Sequence, residues 1–250
     1  MAKRVFITGA SSGLGEGMAR EFARRGHALA IAARRIDRLE ALATELRSLG
    51  AADVFVRSLD VTILEDVPAA IEESAAALGG LDIVVANSGI GGPTPIGKGR
   101  FAAARSIIET NLLGAMATVD AAVELFYRQG SGHVVGISSV AAVRGLPLQG
   151  AYSASKSGLS RYLEALRAEV AGKGILVTDL APGFIDTDLN RHMPTRPFVV
   201  SAEKGCAELV SLIEAGSSFA YVPRVPWTLV AQLLKVLPSR LLALPRGDGR

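Results

Sequence analysis

Apolar runs and helical patterns of apolar and polar positions alternate along the chain with a short beat. Val5-Phe6-Ile7-Thr8 is a compact apolar run and predicts a buried strand. Leu14, Met18 and Phe22 then recur at every fourth residue, a helix face that stops at Gly26. The same alternation continues. Strands are expected at 28–33, 54–57, 83–86, 134–138 and 175–180, with a candidate seventh at 219–222. Between them fall helical patterns: Leu39, Leu42, Ala43, Leu46 and Leu49 on one face up to Gly50, then 67–78, about 101–128, about 151–171 and 202–215. A Gly/Pro loop runs from Gly89 to Gly99. Strands alternating with helices predict βαβ units with right-handed crossovers. The class is α/β, a doubly wound parallel sheet of about seven strands covered by helices on both faces.

Composition narrows the class without changing it. The 250 residues fit one large domain at about 150 residues per domain, assigned to 1–222, with 223–250 as an apolar, basic C-terminal extension. Hydrophobic residues are 49% and charged residues 20%, which excludes a disordered chain. One cysteine, Cys206, excludes an intramolecular disulfide, and with only His27, His133 and His192 no zinc site is expected. The Met1-Ala-Lys-Arg start leads into an apolar run too short for a signal peptide, and no run of 18 apolar residues exists. A cytoplasmic protein is the expectation. The net charge of +3 is concentrated late: Arg224, Lys235, Arg240, Arg246 and Arg250 face only Asp248 after residue 220. With aromatics at 5%, a nucleic-acid surface is not expected.

The loop Thr8-Gly-Ala-Ser-Ser-Gly-Leu-Gly15 joins the first strand to the first helix. Gly9, Gly13 and Gly15 let backbone approach a ligand, and Ser11, Ser12 and Leu14 sit where a helix N-terminus presents its N–H groups to an anion. The spacing is G-x-x-x-G-x-G, neither a P-loop nor the commoner G-x-G-x-x-G; a dinucleotide pyrophosphate suits it better than an empty tight turn. At the end of the second strand, where an acid would bind both adenine-ribose hydroxyls, stand Arg34 and Arg35. Guanidiniums suit a 2′-phosphate, so NADP(H) is preferred to NAD(H). Asp60 is placed to accept from the adenine amine.

Tyr152 and Lys156, four apart, share a helix face. A phenol titrates near 10, and a lysine ammonium beside it is expected to lower that value, the tuning an acid–base group needs. Alone, such a pair is usually a surface feature. Here Ser139 lies 13 residues upstream, at the sheet edge where open α/β folds bind ligands. Strand alternation and spacing favour Ser139 over Ser138.

Taken in order, the Thr8–Gly15 loop, Asp60-Val61, Asn87-Ser88-Gly89, Asn111, Ser139, Tyr152-Ser-Ala-Ser-Lys156 and Pro182-Gly183 with Thr187 resemble the short-chain dehydrogenase/reductase family over residues 3–222. The resemblance implies a Rossmann-like fold and hydride transfer between an alcohol and a carbonyl. It implies that Tyr152 exchanges the proton with the substrate oxygen and Ser139 hydrogen-bonds that oxygen. Lys156 holds the nicotinamide ribose, and Asn111 positions a water near it. Ile185 and Thr187 contact the carboxamide end, and Val61, Asn87, Gly89, Pro182 and Gly183 complete the cofactor site. Two departures stand out: Ser88 replaces the usual alanine, and Ser12 lacks the basic residue of many NADP-preferring members.

Substrate residues are expected in loops beyond the strand ends: Ile90, Gly91, Ser139, Val140, Leu146, Gln149, Phe184, Leu189, Met193 and Phe198. Most are apolar, and Arg144 is expected to be a solvated loop cation. The substrate is therefore expected to be an uncharged, moderately hydrophobic ketone or secondary alcohol. The apolar stretch Trp227–Leu237 can lie on a membrane surface, cap the substrate pocket, or pack on the body or another subunit. Packing is preferred, and a homotetramer or homodimer is expected. Other functions fit less well. A cofactor-binding scaffold without turnover leaves the Ser-Tyr-Lys-Asn set unused. A serine hydrolase lacks the last glycine of G-x-S-x-G, and a methyltransferase has no work for Tyr152 and Lys156.

Overall fold

The structure is a computed structural model that describes residues 2–191 and 193–242. His192 and the basic end with Arg246, Asp248 and Arg250 lie outside the described residues. Seven strands form one parallel sheet: β1 (Arg4–Thr8), β2 (Ala28–Ala33), β3 (Asp53–Ser58), β4 (Ile83–Ala86), β5 (Gly132–Ile137), β6 (Ile175–Pro182) and β7 (Phe219–Val222). The helices are α1 (Gly13–Arg24), α2 (Ile36–Ser48), α3 (Asp66–Leu78), α4 (Phe101–Ile108), α5 (Gly114–Gln129), α6 (Gly150–Glu169), α7 (Ala202–Glu214) and α8 (Arg224–Val236). Strand order is β3-β2-β1-β4-β5-β6-β7. The order reverses between β1 and β4, the switch point where doubly wound sheets open a crevice at the strands' C-terminal ends.

Side-chain alternation along each strand builds two cores. Val5, Ile7, Leu29, Ile31, Val135 and Leu180 pack under α1, α2 and α7. Phe6, Ala30, Val84, Val134 and Val177 pack under α3, α5 and α6. Each strand is apolar on both faces because both are covered, so the strands read as runs rather than as alternation. The expected long helix is divided. A π-turn over Glu109–Leu113 joins α4 to α5 and carries Asn111. A third, smaller cluster joins Ala181, Tyr221, Trp227 and Ala231, so α8 packs on the body at the end of β6 and β7. Among the described residues, no helix is long and apolar enough to cross a membrane.

Candidate active site

The C-terminal ends of β1, β4, β5 and β6 open into a cavity of about 610 Å³. One end is the β1–α1 loop. Gly9 (φ 69°) and Gly13 (φ 61°) hold left-handed backbone that favours glycine. Gly15 does not face the cavity; it supports the turn from behind. A Cβ there would lie 2.5 Å from the Gly9 carbonyl and 2.6 Å from Asn87 Nδ2. Asn87 Nδ2 donates to Thr8 O at 2.8 Å, and the buried Thr8 Oγ1 accepts from the N–H groups of Asn87 (3.0 Å) and Ser88 (3.1 Å). The loop is thus fixed to β4. Ser11, Ser12, Gly13 and Leu14 line the cavity, and the Ser12 side chain at the N-cap of α1 makes no capping bond.

Arg34, Arg35, Asp60 and Val61 line the same end. Arg35 lies on the loop, its Nε donating to Ser11 Oγ at 3.1 Å and its Nη2 to Ser12 Oγ at 2.6 Å. Arg34 is different: its side chain is 69% exposed and 3.9 Å from Asp60. Burial pushes the Asp60 carboxyl up, but the Thr62 N–H and hydroxyl and the Arg34 guanidinium outweigh it and hold the group below its ordinary value. These residues fit a phosphorylated dinucleotide. A Cβ at Gly9 would lie 2.9 Å from Ser88 Cα, the N-terminus of α1 faces the loop, and an exposed guanidinium stands at the rim.

At the other end the cavity brings together Ser139, Tyr152 and Lys156. Ser139 follows β5, and its Oγ accepts from Ala141 N at 3.1 Å while donating to Pro182 O at 3.4 Å. Ser138 also borders the cavity, but its Oγ donates to Leu180 O at 3.1 Å. Tyr152 and Lys156 come from α6. Lys156 is buried, and its Nζ donates to the Ile137 carbonyl at 2.8 Å and sits 5.9 Å from the centre of the Tyr152 ring.

The expected lowering of the Tyr152 pKa is not what the site produces. Burial raises the phenol above its ordinary value, with the Ser139 hydroxyl opposing. The lysine beside it is itself desolvated and pushed down to about 8. An ammonium by itself lowers a neighbouring phenol, but here the loss of water around both groups outweighs it.

Asn111 lies in the π-turn between α4 and α5. Its side chain is wholly buried behind the cavity, with Oδ1 accepting from Ile90 N and Nδ2 donating to Ile90 O, both at 2.8 Å. It braces the Gly89–Gly91 loop. Asn87, Gly89, Pro182, Gly183, Ile185 and Thr187 line the cavity, as do Ile90, Gly91, Val140, Leu146, Gln149, Phe184, Leu189 and Met193. Phe198 stays outside it, edge-on to Trp227 with ring centres 6.0 Å apart. Arg144 is not a solvated cation. Its Nη1 donates to Leu234 O at 2.9 Å and to Leu237 O, holding the end of α8. Thr110 and Asn190 line the cavity without a signal in the sequence, and so do Trp227 and Leu234 of the apolar stretch for which capping the pocket was one expected role. The last two share one face of α8, seven apart, and that spacing was the available signal.

A family profile described as short chain dehydrogenase matches residues 3–197. An uncharacterised oxidoreductase of Mycobacterium tuberculosis is 42% identical over 241 residues, 96% of this chain and 95% of that protein. An 11-beta-hydroxysteroid dehydrogenase of Arabidopsis thaliana, 1A, is 33% identical over 261 residues, covering 96% of this chain and 73% of its own. Among solved structures, an alcohol dehydrogenase of the archaeon Thermococcus sibiricus complexed with 5-hydroxy-NADP superposes with a TM-score of 0.79 at 30% identity, covering 88% of this chain and 96% of that one. A 3-ketoacyl-(acyl-carrier-protein) reductase of Brucella melitensis complexed with NADH gives 0.79 at 26%, covering 88% and 95%. The chain belongs to the short-chain dehydrogenase/reductase family and is an NAD(P)-dependent oxidoreductase.

Proposed function

We propose that the protein interconverts a carbonyl and a secondary alcohol on a moderately hydrophobic small molecule, with NADP(H) as the preferred cofactor. The observation that carries this reading is the cavity itself, with Ser139, Tyr152 and Lys156 at one end and Arg34 at the other. In this reading Gly9, Ser11, Ser12, Gly13 and Leu14 hold the pyrophosphate, and Arg34 meets the 2′-phosphate with Arg35 bracing the loop. Asp60 and Val61 border the adenine, and Asn87, Gly89, Pro182, Gly183, Ile185 and Thr187 border the nicotinamide half. The cofactor supplies the hydride. The chain supplies everything else.

In the reductive direction Tyr152 gives its phenolic proton to the substrate oxygen, and the Ser139 hydroxyl donates a hydrogen bond to the same oxygen. A phenol whose pKa burial has raised arrives protonated, the form an acid needs. Lys156 places a positive charge beside the phenolate left behind. Asn111 acts through Ile90, fixing the loop that borders the reacting carbon. The apolar wall of Ile90, Val140, Leu146, Phe184, Leu189, Met193 and Trp227 excludes water and sets the substrate class. A second copy of the chain pairs through the helices spanning 101–129 and 150–169, giving a homodimer or homotetramer.

A panel of ketones and secondary alcohols, followed by nicotinamide absorbance with NADPH and NADH, tests the reading. Apolar ketones with NADPH are the expected substrates. Tyr152→Phe lowers turnover by about 10²-fold or more while NADPH still binds. Turnover of the variant within a few-fold of the wild type rejects the assignment of Tyr152. Faster turnover of small charged keto acids rejects the substrate class.

A further inference from the structure

One buried acid has no part in the site described so far. Along β6, Val177 packs with the α6-side core and Leu180 with the opposite one, so Asp179 points towards α6. Its neighbours in register are Gly136 of β5 and Phe219 of β7. Asp179 is 3% exposed, and its Oδ1 has no hydrogen-bond partner. A carboxyl left part-satisfied in an otherwise apolar layer costs stability.

Few charged or titratable groups face it. They are Lys156 and Arg167 from α6 and Tyr221 from β7, while β5 offers only the Ser138 hydroxyl. Arg167 is committed to backbone, its Nε donating to Val177 O at 3.2 Å and its Nη2 to Ser218 O at 2.7 Å. The Ser160 hydroxyl of α6 is among the groups that favour the charged form of the Asp179 carboxyl. Lys156 also comes from α6, and its Nζ is held at the carbonyl of Ile137, which pairs with Leu180, the residue after Asp179, so the ammonium and the carboxyl meet on the same side of adjacent strands.

We propose that Asp179 is the buried counter-charge of Lys156, a positioning residue behind the cavity that keeps the lysine ammonium charged out of water. The proposal rests on the reading of Lys156 as part of the proton machinery. Burial takes Lys156 down to about 8, and Asp179 is the group that opposes that fall. The influence is reciprocal: burial leaves the carboxyl raised above its ordinary value, and Lys156 is among the groups that oppose that rise. An uncharged isostere at 179 leaves the lysine with the Ile137 carbonyl and no opposite charge, so its proton leaves at lower pH.

The test is Asp179→Asn in the full chain, with Ser160→Ala as the milder companion should the first fail to fold. Two readouts are used: the pH profile of kcat and kcat/KM, and the titration of Lys156 followed by NMR on lysine labelled at Cε, assigned with Lys156→Arg. Asp179→Asn moves the Lys156 titration and the alkaline limb of the profile down by about one pH unit. Ser160→Ala moves both the same way by less. The thermal midpoint of Asp179→Asn stays level or rises, because the amide removes a buried acid. Titrations and profiles that superimpose on the wild type overturn the proposal, whatever happens to kcat or stability. A shifted Lys156 titration in a protein that turns over nothing on the panel upholds the pairing and rejects the proposed function instead.

Discussion

Arg34 and Arg35 are adjacent in sequence yet do different work. Arg35 is tied to the hydroxyls of Ser11 and Ser12 and braces the phosphate loop. Arg34 is exposed, with Asp60 at 3.9 Å as a weak partner, so its guanidinium has donors to spare for a ligand. Sequence position alone gave the pair one shared role. A charge-assisted hydrogen bond contributes about 1.5–3 kcal/mol, or roughly 10- to 100-fold in affinity. Arg34→Ala is therefore expected to raise the KM for NADPH by about tenfold or more and to leave the KM for NADH nearly unchanged. Arg35→Ala is expected to weaken both cofactors. Equal losses for both cofactors in Arg34→Ala would show that this residue does not read a 2′-phosphate.

At the scale of elements, β5 and β6 deliver the site and also carry a pH liability. His133 of β5 is buried, with Nε2 2.7 Å from the Thr178 hydroxyl of β6. Burial, with a smaller contribution from the Lys3 charge, pushes its imidazole down to about 4. The unfolded chain takes up that proton near pH 6.5 and the folded chain near 4. Stability from this group is thus full above about pH 6.5 and falls as pH drops towards 4, by about 3 kcal/mol in all. Urea unfolding midpoints at pH 7 and 4.5 measure the loss. His133→Gln is expected to flatten that dependence; an unchanged slope would place the acid sensitivity elsewhere. The strands were legible as apolar runs, and the βα loop as glycines at fixed offsets. The π-turn at Glu109–Leu113 was not legible, since its sequence reads as ordinary helix.

The whole molecule decides what α8 does. Its inner face places Trp227 against Gly183 and beside Phe184, with ring centres 5.9 Å apart, and Arg144 holds its far end. Gly183 has no room for a Cβ because the indole lies over it. Of the roles the sequence offers this extension, α8 takes the one that caps the pocket. Trp227→Ala is expected to cost about 3–5 kcal/mol and to lower the thermal midpoint. It is also expected to raise the KM for an apolar carbonyl substrate several-fold while leaving NADPH binding close to normal. A variant with unchanged stability and KM would reduce α8 to a surface attachment.

The amino-acid sequence by itself determined the order of strands and helices, the glycine turn after β1 and the edge at which Ser139, Tyr152 and Lys156 meet. Those follow from local periodicity and fixed spacing, which need only neighbouring residues. Tertiary structure decided the rest: the raised phenol and lowered lysine, the seat of Asn111 behind Ile90, the clamp made by Arg144 and the wall made by Trp227. Each depends on desolvation or contact between segments far apart in the chain, quantities that exist only once the chain has folded around them.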